Sequence, residues 1–198
     1  PHAAREASLD HRGNVEQRGL ARLRDASTEG RAAIRHVPSG MVCLLPLDGT
    51  FAFDVFPAEA GNAGAQCSSA VGETASLFMV VKFNAATSLD AAFAYAARET
   101  AGRAQASHWR GRPSESDRAA PDGLPHFRIG RFEANIDRTQ RYLRVAMSEV
   151  DGWYMQQIVS APIADAEAAE AAAGQEWRQA LQAFARTPQP SGPQNERR

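Results

Sequence analysis

Arginine is the residue type in this chain best placed for recognition chemistry, because nine arginines stand against five acids between Arg103 and Arg144, a local net charge of +4. A guanidinium group binds carboxylates and other anions through two parallel hydrogen bonds. We therefore predict a protein partner, acidic in character, that is bound by this stretch. The predicted binding residues are Trp109, Arg110, Arg112, Arg128, Arg131, Arg141 and Arg144.

Two alternatives for these residues stay open. The arginines can be solvated strand ends, or they can pair with the acidic C-terminal helix and with nearby acids. Trp109 can be an exposed aromatic anchor beside His108, Arg110 and Arg112, or part of an ordered loop. The nearby acids are Glu115, Asp117, Glu133 and Asp137. The other aromatic pair, Trp153 and Tyr154, is expected to pack in the core or at a sheet edge.

No pattern of catalytic or metal-binding residues is found, so we predict no catalytic residue, metal or cofactor. The five histidines show neither an i, i+4 pair nor an HExxH spacing, although His108 and His126 flank one loop. Cys67-Ser68-Ser69 is not a nucleophile elbow. Gly61-Asn62-Ala63-Gly64 lacks the lysine and the following helix of a phosphate-binding loop.

The two cysteines, Cys43 and Cys67, are 24 positions apart and predict one disulfide. The alternative is two reduced cysteines in the core. The sequence begins at Pro1 without a leader, as a mature exported protein does after its signal peptide is removed. We therefore expect a periplasmic or otherwise exported protein.

Composition favours an ordinary globular domain. Hydrophobic residues make up 43% and charged residues 23% of the 198 residues. A formal net charge of −1 gives no overall attraction to nucleic acid, which is not expected as a partner. The longest apolar run, Leu77 to Phe83, is too short to span a bilayer and is typical of a buried strand.

Three regions follow from the distribution of apolar residues: a helical or loose arm over 1–35, one domain over 36–186, and a Pro-rich disordered tail over 187–198. A long irregular connection is expected over 103–125.

Within the domain the pattern predicts an antiparallel sheet packed against amphipathic helices, which is an α+β fold. Asp48-Gly49 and Asp151-Gly152 predict hairpin turns, and alternation over Thr74 to Phe83 predicts an interior strand. Thr87 is the expected N-cap of a helix that runs to Gly102. The remaining predicted elements are strands over 41–47, 50–56, 126–136, 140–150 and 153–160, a short strand near Cys67, and a long helix after Pro162 with the stripe Ala166, Ala169, Ala173, Trp177, Leu181 and Phe184.

This order of elements, with the two Asp-Gly pairs and the closing stripe Trp177, Leu181 and Phe184, resembles the PsbP-like α/β/α sandwich over residues 36–186. That family includes small lumenal or envelope proteins that act in assembly or interaction. The resemblance implies a binding role and carries over no catalytic residue.

Two functional hypotheses result. The first is a non-enzymatic interaction or assembly module of the bacterial cell envelope that uses the arginine-rich sheet edge and the 103–125 loop. The alternative is a small-ligand carrier or an enzyme whose pocket lies between sheet and helix, lined by Phe78, Val80 and residues of that loop.

Overall fold

A computed structural model describes the chain over residues 23–25, 32–46, 48–56, 63–83, 85–102, 106–118 and 123–185. The predicted tail and most of the predicted arm lie outside these residues. The described elements are β1 (Leu23–Asp25), β2 (Ala33–His36), β3 (Val42–Leu44), β4 (Thr50–Phe56), β5 (Ala63–Val71), β6 (Thr74–Lys82), α1 (Leu89–Ala101), β7 (Ser107–His108), α2 (Glu115–Arg118), β8 (Phe127–Ile136), β9 (Thr139–Val150), β10 (Trp153–Pro162), a 3-10 turn (Ile163–Asp165) and α3 (Ala166–Ala185).

Two sheets are present in the described part of the chain. The large one has seven strands in the order β4-β5-β6-β10-β9-β8-β7, and each neighbouring pair is antiparallel. The small one has the order β1-β2-β3 and is also antiparallel. The predicted α+β class with a mainly antiparallel sheet is therefore confirmed.

Tight hairpins connect the strands in the second half of the sheet. Asp151 and Gly152 have φ angles of 53° and 79°, as a two-residue turn with positive φ at both central positions requires, so the predicted hairpin between β9 and β10 is confirmed. Asp137 and Arg138 make a similar turn between β8 and β9, with φ angles of 50° and 65°. Neither residue is glycine, so this turn lacks the Asp-Gly pattern that predicted the other hairpin, although the predicted strands over 126–136 and 140–150 leave room for it.

The hairpin predicted at Asp48-Gly49 is wrong. Gly49 has a positive φ of 98°, but Asp48 does not, so this dipeptide does not form the two-residue hairpin turn. The strand before it, β3, pairs with β2, and the strand after it, β4, pairs with β5. The chain therefore crosses from the small sheet to the large one at Asp48-Gly49.

The small sheet includes residues that were assigned to the arm. β1 and β2 fall within 1–35 except for His36, and both pair with their neighbour in the small sheet. β3 packs beside α3, and Met41 and Cys43 join the main core. The predicted disulfide is confirmed: Cys43 on β3 bonds to Cys67 on β5, with Cα atoms 6.2 Å apart. It fixes the small sheet to the large one.

One face of the large sheet packs against α3, and we call it the α3 face. All six residues of the predicted apolar stripe of this helix are buried. The core on this face combines Trp177, Leu181 and Phe184 of α3 with Val80, Trp153 and Met155 of the sheet. The stripe is thus confirmed as the contact between helix and sheet.

The opposite face, the α1 face, is covered over part of its width. Ser88, not the expected Thr87, is the N-cap of α1, and its hydroxyl accepts a hydrogen bond from the Ala91 backbone N–H. α1 packs on β8 and β9. Its apolar contacts include Val145, Met147 and Phe132. None of the described helices has both the length and the hydropathy that crossing a membrane demands.

Candidate interaction site

The segment 106–118, which we call the strap, closes the β8 edge of the large sheet. At the start of the strap, β7 pairs with β8. The Trp109 N–H then donates to the Arg131 carbonyl at 3.2 Å. His108 stacks on Phe132, which belongs to the α1 face, whereas Trp109 packs edge-on against Tyr142 with ring centroids 4.9 Å apart. The strap therefore passes around the edge and lays α2 beside α3.

Beneath the strap lies a buried cluster of charges, formed by Arg131 on β8, Arg144 on β9, Asp117 on α2 and Glu170 on α3. Arg131 Nε donates to Glu170 Oε1 at 2.7 Å, and its Nη2 donates to Asp117. Arg144 Nη2 donates to Asp117 Oδ1 at 3.1 Å. The side chains of Arg144 and Glu170 are 0% and 1% exposed. Two cations and two anions balance in this cluster, as buried charges require.

Tyr142 and the strap backbone complete the contacts of Glu170. The Tyr142 hydroxyl donates to Oε2, and the Ser114 backbone N–H donates to Oε1 at 2.8 Å. Gly174, one turn along α3, makes room for this approach, because a Cβ at that position would lie 2.2 Å from Ser114 Oγ. Arg178, a further turn along, donates to the Ser116 carbonyl. The helix α3 therefore holds the strap at three successive turns.

The buried cluster shifts the pKa values of its members. Burial alone raises the pKa of Glu170, but the charge of Arg144 and the donors from Ser114, Tyr142 and Arg131 outweigh it and hold that pKa below its ordinary value. Burial raises the pKa of Asp117, and the neighbouring Glu170 carboxylate adds to the rise against both arginines. The pKa values of the two acids are thus shifted in opposite directions.

The two other titrating members respond mainly to burial. Burial lowers the pKa of Arg144, against the charges of Asp117 and Glu170, and the guanidinium still stays charged near neutral pH. Burial raises the pKa of Tyr142, and its hydrogen bond to Glu170 raises it further. The phenol therefore stays protonated and keeps donating.

The seven predicted binding residues do not form one surface. Arg131 and Arg144 pair with Asp117 and Glu170, which is the alternative left open from the sequence. Trp109 is half-buried against Tyr142. Of these seven residues, Arg110 and Arg112 are the two that are exposed on the strap.

The other two arginines lie on the α1 face. Arg128 Nε donates to Asp90 of α1 at 2.7 Å, and both side chains are exposed. Arg141 Nε donates to Ser160 Oγ at 2.8 Å, and its Nη2 donates to the Glu73 carbonyl at 2.6 Å. Arg110, Arg112 and Arg128 are thus split between two sides of the molecule.

Glu170 is the residue of the cluster that the sequence analysis did not single out, since the C-terminal helix was named there only as acidic. A signal was present: Glu170 is four residues after Ala166 and three before Ala173, inside the buried stripe. A carboxylate in an apolar stripe of helical spacing indicates a buried partner of opposite charge.

The opposite edge of the large sheet, β4, is open in the described part of the chain. β4 pairs with β5 on one side and with no described strand on the other. Phe51, Phe53 and Val55 turn toward the core on the α3 face, and Thr50, Ala52 and Asp54 are exposed. Asp54 is the only charged residue of the strand, and it accepts a hydrogen bond from Gln66 Nε2 at 3.1 Å.

A small cavity lies on the α3 face beside this open edge. It encloses about 100 Å³ between Phe51 of β4, the segment Leu44–Pro46, and Ala180 of α3. Phe78, which was predicted to line a pocket between sheet and helix, lines it, whereas neither Val80 nor any strap residue does. Cys67 also lines the cavity, so the disulfide fixes β3 over it.

Among the described residues, no three His, Cys, Asp or Glu side chains lie close enough to hold a metal ion. Comparison with protein-family models, with curated proteins and with solved structures found no match.

Proposed function

We propose that the protein is an interaction module that binds an extended segment of a partner protein by adding it to β4 as a further strand of the large sheet. The observation that carries this proposal is the row of backbone groups along Thr50–Phe56 that no described strand pairs. An exposed edge of this kind is a template for strand addition.

The side chains of β4 support the proposal. Natural proteins usually protect an edge strand with lysine, proline, a bulge or a very short length. β4 has seven residues, contains neither lysine nor proline, and pairs with β5 in an unbroken register from Thr50 to Phe56. Its single charge, on Asp54, is engaged by Gln66. An edge that no described residue protects in these ways is a liability unless a partner covers it.

The disulfide bears on the compartment in which the protein would bind this partner. Disulfides persist in oxidising compartments, so Cys43–Cys67 supports an exported protein acting in a cell envelope, as an interaction or assembly factor. The cationic loop predicted from the sequence is the weaker candidate surface, because its exposed arginines are split between two sides of the molecule.

The test is a phage-displayed library of seven-residue peptides with alternating apolar and polar positions, selected on the full chain. We expect the selected peptides to slow amide hydrogen exchange in Thr50–Phe56. Ala52→Lys places a charge on the exposed side of the edge and should weaken these peptides about fivefold, the effect of losing one favourable cross-strand pair. Ala75→Lys, at an exposed position of the interior strand β6, is the matched control and should leave binding unchanged.

Two results contradict the proposal. If the selected peptides protect the strap or α1 instead of β4, strand addition at this edge is excluded. If β4 becomes protected in the peptide-free chain as its concentration rises, the occupant is a second copy rather than a partner segment. Sedimentation of wild type and Ala52→Lys over the same concentrations distinguishes these cases.

A further inference from the structure

The two sides of β4 differ in chemistry, and a strand added to it would meet both. Phe51, Phe53 and Val55 pack against the core of the α3 face but are only half-buried. Ala52 and Asp54 lie on the other side of the strand and are exposed. An added segment therefore places every second side chain beside the apolar row, and apolar side chains at those positions remove its remaining exposed area from water.

Asp54 is the residue of β4 that can distinguish partners by their charge. Its Oδ2 accepts a hydrogen bond from Gln66 Nε2 at 3.1 Å, and no described residue forms an ion pair with it. A carboxylate offers about four lone-pair positions, so this one bond leaves acceptor capacity on Asp54. A residue directly across from it on an added strand has its Cβ about 5 Å away, within reach of a lysine or arginine side chain.

The chain around this edge is acidic. Residues 48–81 contain no lysine or arginine and four acids, which are Asp48, Asp54, Glu59 and Glu73. This local charge of −4 is opposite in sign to the charge of the stretch 103–144. Arg141 donates to the Glu73 backbone carbonyl, but neither Asp48 nor Asp54 is paired with a described cation. The charge at the open edge is therefore left for a partner to balance.

Given the strand addition proposed above, on which this step rests, we infer that the added segment is basic, with a lysine or arginine opposite Asp54 and an apolar residue on either side of it. Opposite charges directly across a strand pair stabilise the pairing, and like charges destabilise it. The backbone of β4 supplies affinity for any extended segment. Asp54 then supplies specificity, because it attracts a basic segment and repels an acidic one.

The experiment uses three capped seven-residue peptides of alternating valine and threonine, in which the central threonine is replaced by lysine, glutamine or glutamate. Each is titrated into the full chain at about 10 mM salt, where charges are weakly screened, and followed by the amide NMR shifts of Thr50–Phe56. We expect the lysine peptide to bind about threefold more tightly than the glutamine peptide and about tenfold more tightly than the glutamate peptide, the range of one cross-strand charge pair. At about 1 M salt the three affinities should converge.

Substitutions of Asp54 separate this pairing from a general attraction between a basic peptide and an acidic surface. Asp54→Lys should weaken all three peptides, because lysine protects an edge, and should invert their order so that the glutamate peptide binds most tightly. Asp54→Asn should make the lysine and glutamine peptides equal, and its amide oxygen can still accept from Gln66, so the fold should be kept. Glu167→Gln removes an exposed acid on α3 and is the matched control that should keep the wild-type order.

Two results overturn the inference: equal binding of the three peptides to wild type at low salt, or an order that Asp54→Lys leaves unchanged. Both differ from a failure of strand addition. If the peptides shift the amides of Thr50–Phe56 whatever their central residue, strand addition stands and the basic partner alone is excluded. If neither these peptides nor those selected from the library affect β4, strand addition fails and the basic partner fails with it.

Discussion

The two edges of the large sheet differ in what covers them. At the β8 edge the strap adds β7, turns Trp109 onto Tyr142 and lays α2 over Arg131 and Arg144, so that four charges become buried and mutually paired. At the β4 edge no described strand follows, and the neighbouring segment β3 is fixed over the α3 face by a disulfide.

This difference indicates that the closed edge serves the folded structure, whereas the open edge serves recognition. Buried charge pairs rarely add net stability compared with apolar packing, but they demand one arrangement of the groups they join. The closed edge therefore specifies a single position for the strap. The open edge leaves backbone groups of β4 that no described strand pairs, and such unmet hydrogen bonds are what a partner can supply.

The largest expected effect comes from removing the acid at the centre of the closed edge. Glu170→Ala leaves the guanidinium groups of Arg131 and Arg144 buried with one acid between them and removes the acceptor of the Ser114 N–H. We expect a loss of about 3–5 kcal/mol in the free energy of unfolding, measured by urea denaturation. Amide exchange should show the strap opening while β3 stays protected.

Glu167→Ala is the matched control, since it removes an exposed acid one turn earlier on the same helix and should change the free energy of unfolding by less than about 0.5 kcal/mol. Equal effects of the two substitutions would show that the buried cluster contributes nothing specific to the closed edge.

A smaller loss of stability is expected from removing the disulfide near the open edge. Replacing both Cys43 and Cys67 by serine frees a loop of 24 residues in the unfolded chain, which lowers the free energy of unfolding by about 3 kcal/mol on the chain-entropy model. The exchange pattern should be the reverse of that for Glu170→Ala, with Val42–Pro46 opening and the strap unchanged. Opening of the strap in the serine variant would contradict the independence of the two edges.

The same contrast explains what the sequence predicted well. The hairpin at Asp151-Gly152, the buried stripe of α3 and the Cys43–Cys67 bond are confirmed, because each depends on short spacings or on the only two candidates for a bond. Local backbone preferences and helical periodicity are visible in a single chain.

What the sequence could not predict depends on partners distant in the chain. Asp48-Gly49 has the composition of a hairpin turn, yet β3 pairs with the earlier β2 and leaves β4 at an edge. Likewise, Arg144 and Glu170 meet only after β9 and α3 pack together. A row of arginines looks like a binding surface until the acids that neutralise two of them are known.

The smallest expected effect is a loss of folding stability at alkaline pH, which arises from Tyr142 at the closed edge. The folded chain holds the pKa of Tyr142 above its ordinary value of 10.0, so the stability that this phenol contributes is fully present below pH 10.0 and is lost as the pH rises toward the folded value. Between pH 9 and 11 the urea midpoint of the wild type should therefore fall. Burial also raises the pKa of Tyr154, which adds to the same slope.

Tyr142→Phe should flatten this decline, because the residue that ionises in the unfolded chain is gone, and it should also lower stability at pH 8 by removing a donor to Glu170. Tyr95→Phe, which changes a ring that is 60% exposed on α1, is the matched control and should keep the wild-type slope. If Tyr142→Phe declines as steeply as wild type, the phenol does not donate into the cluster, and the closed edge relies on the arginines and the Ser114 N–H alone to hold Glu170.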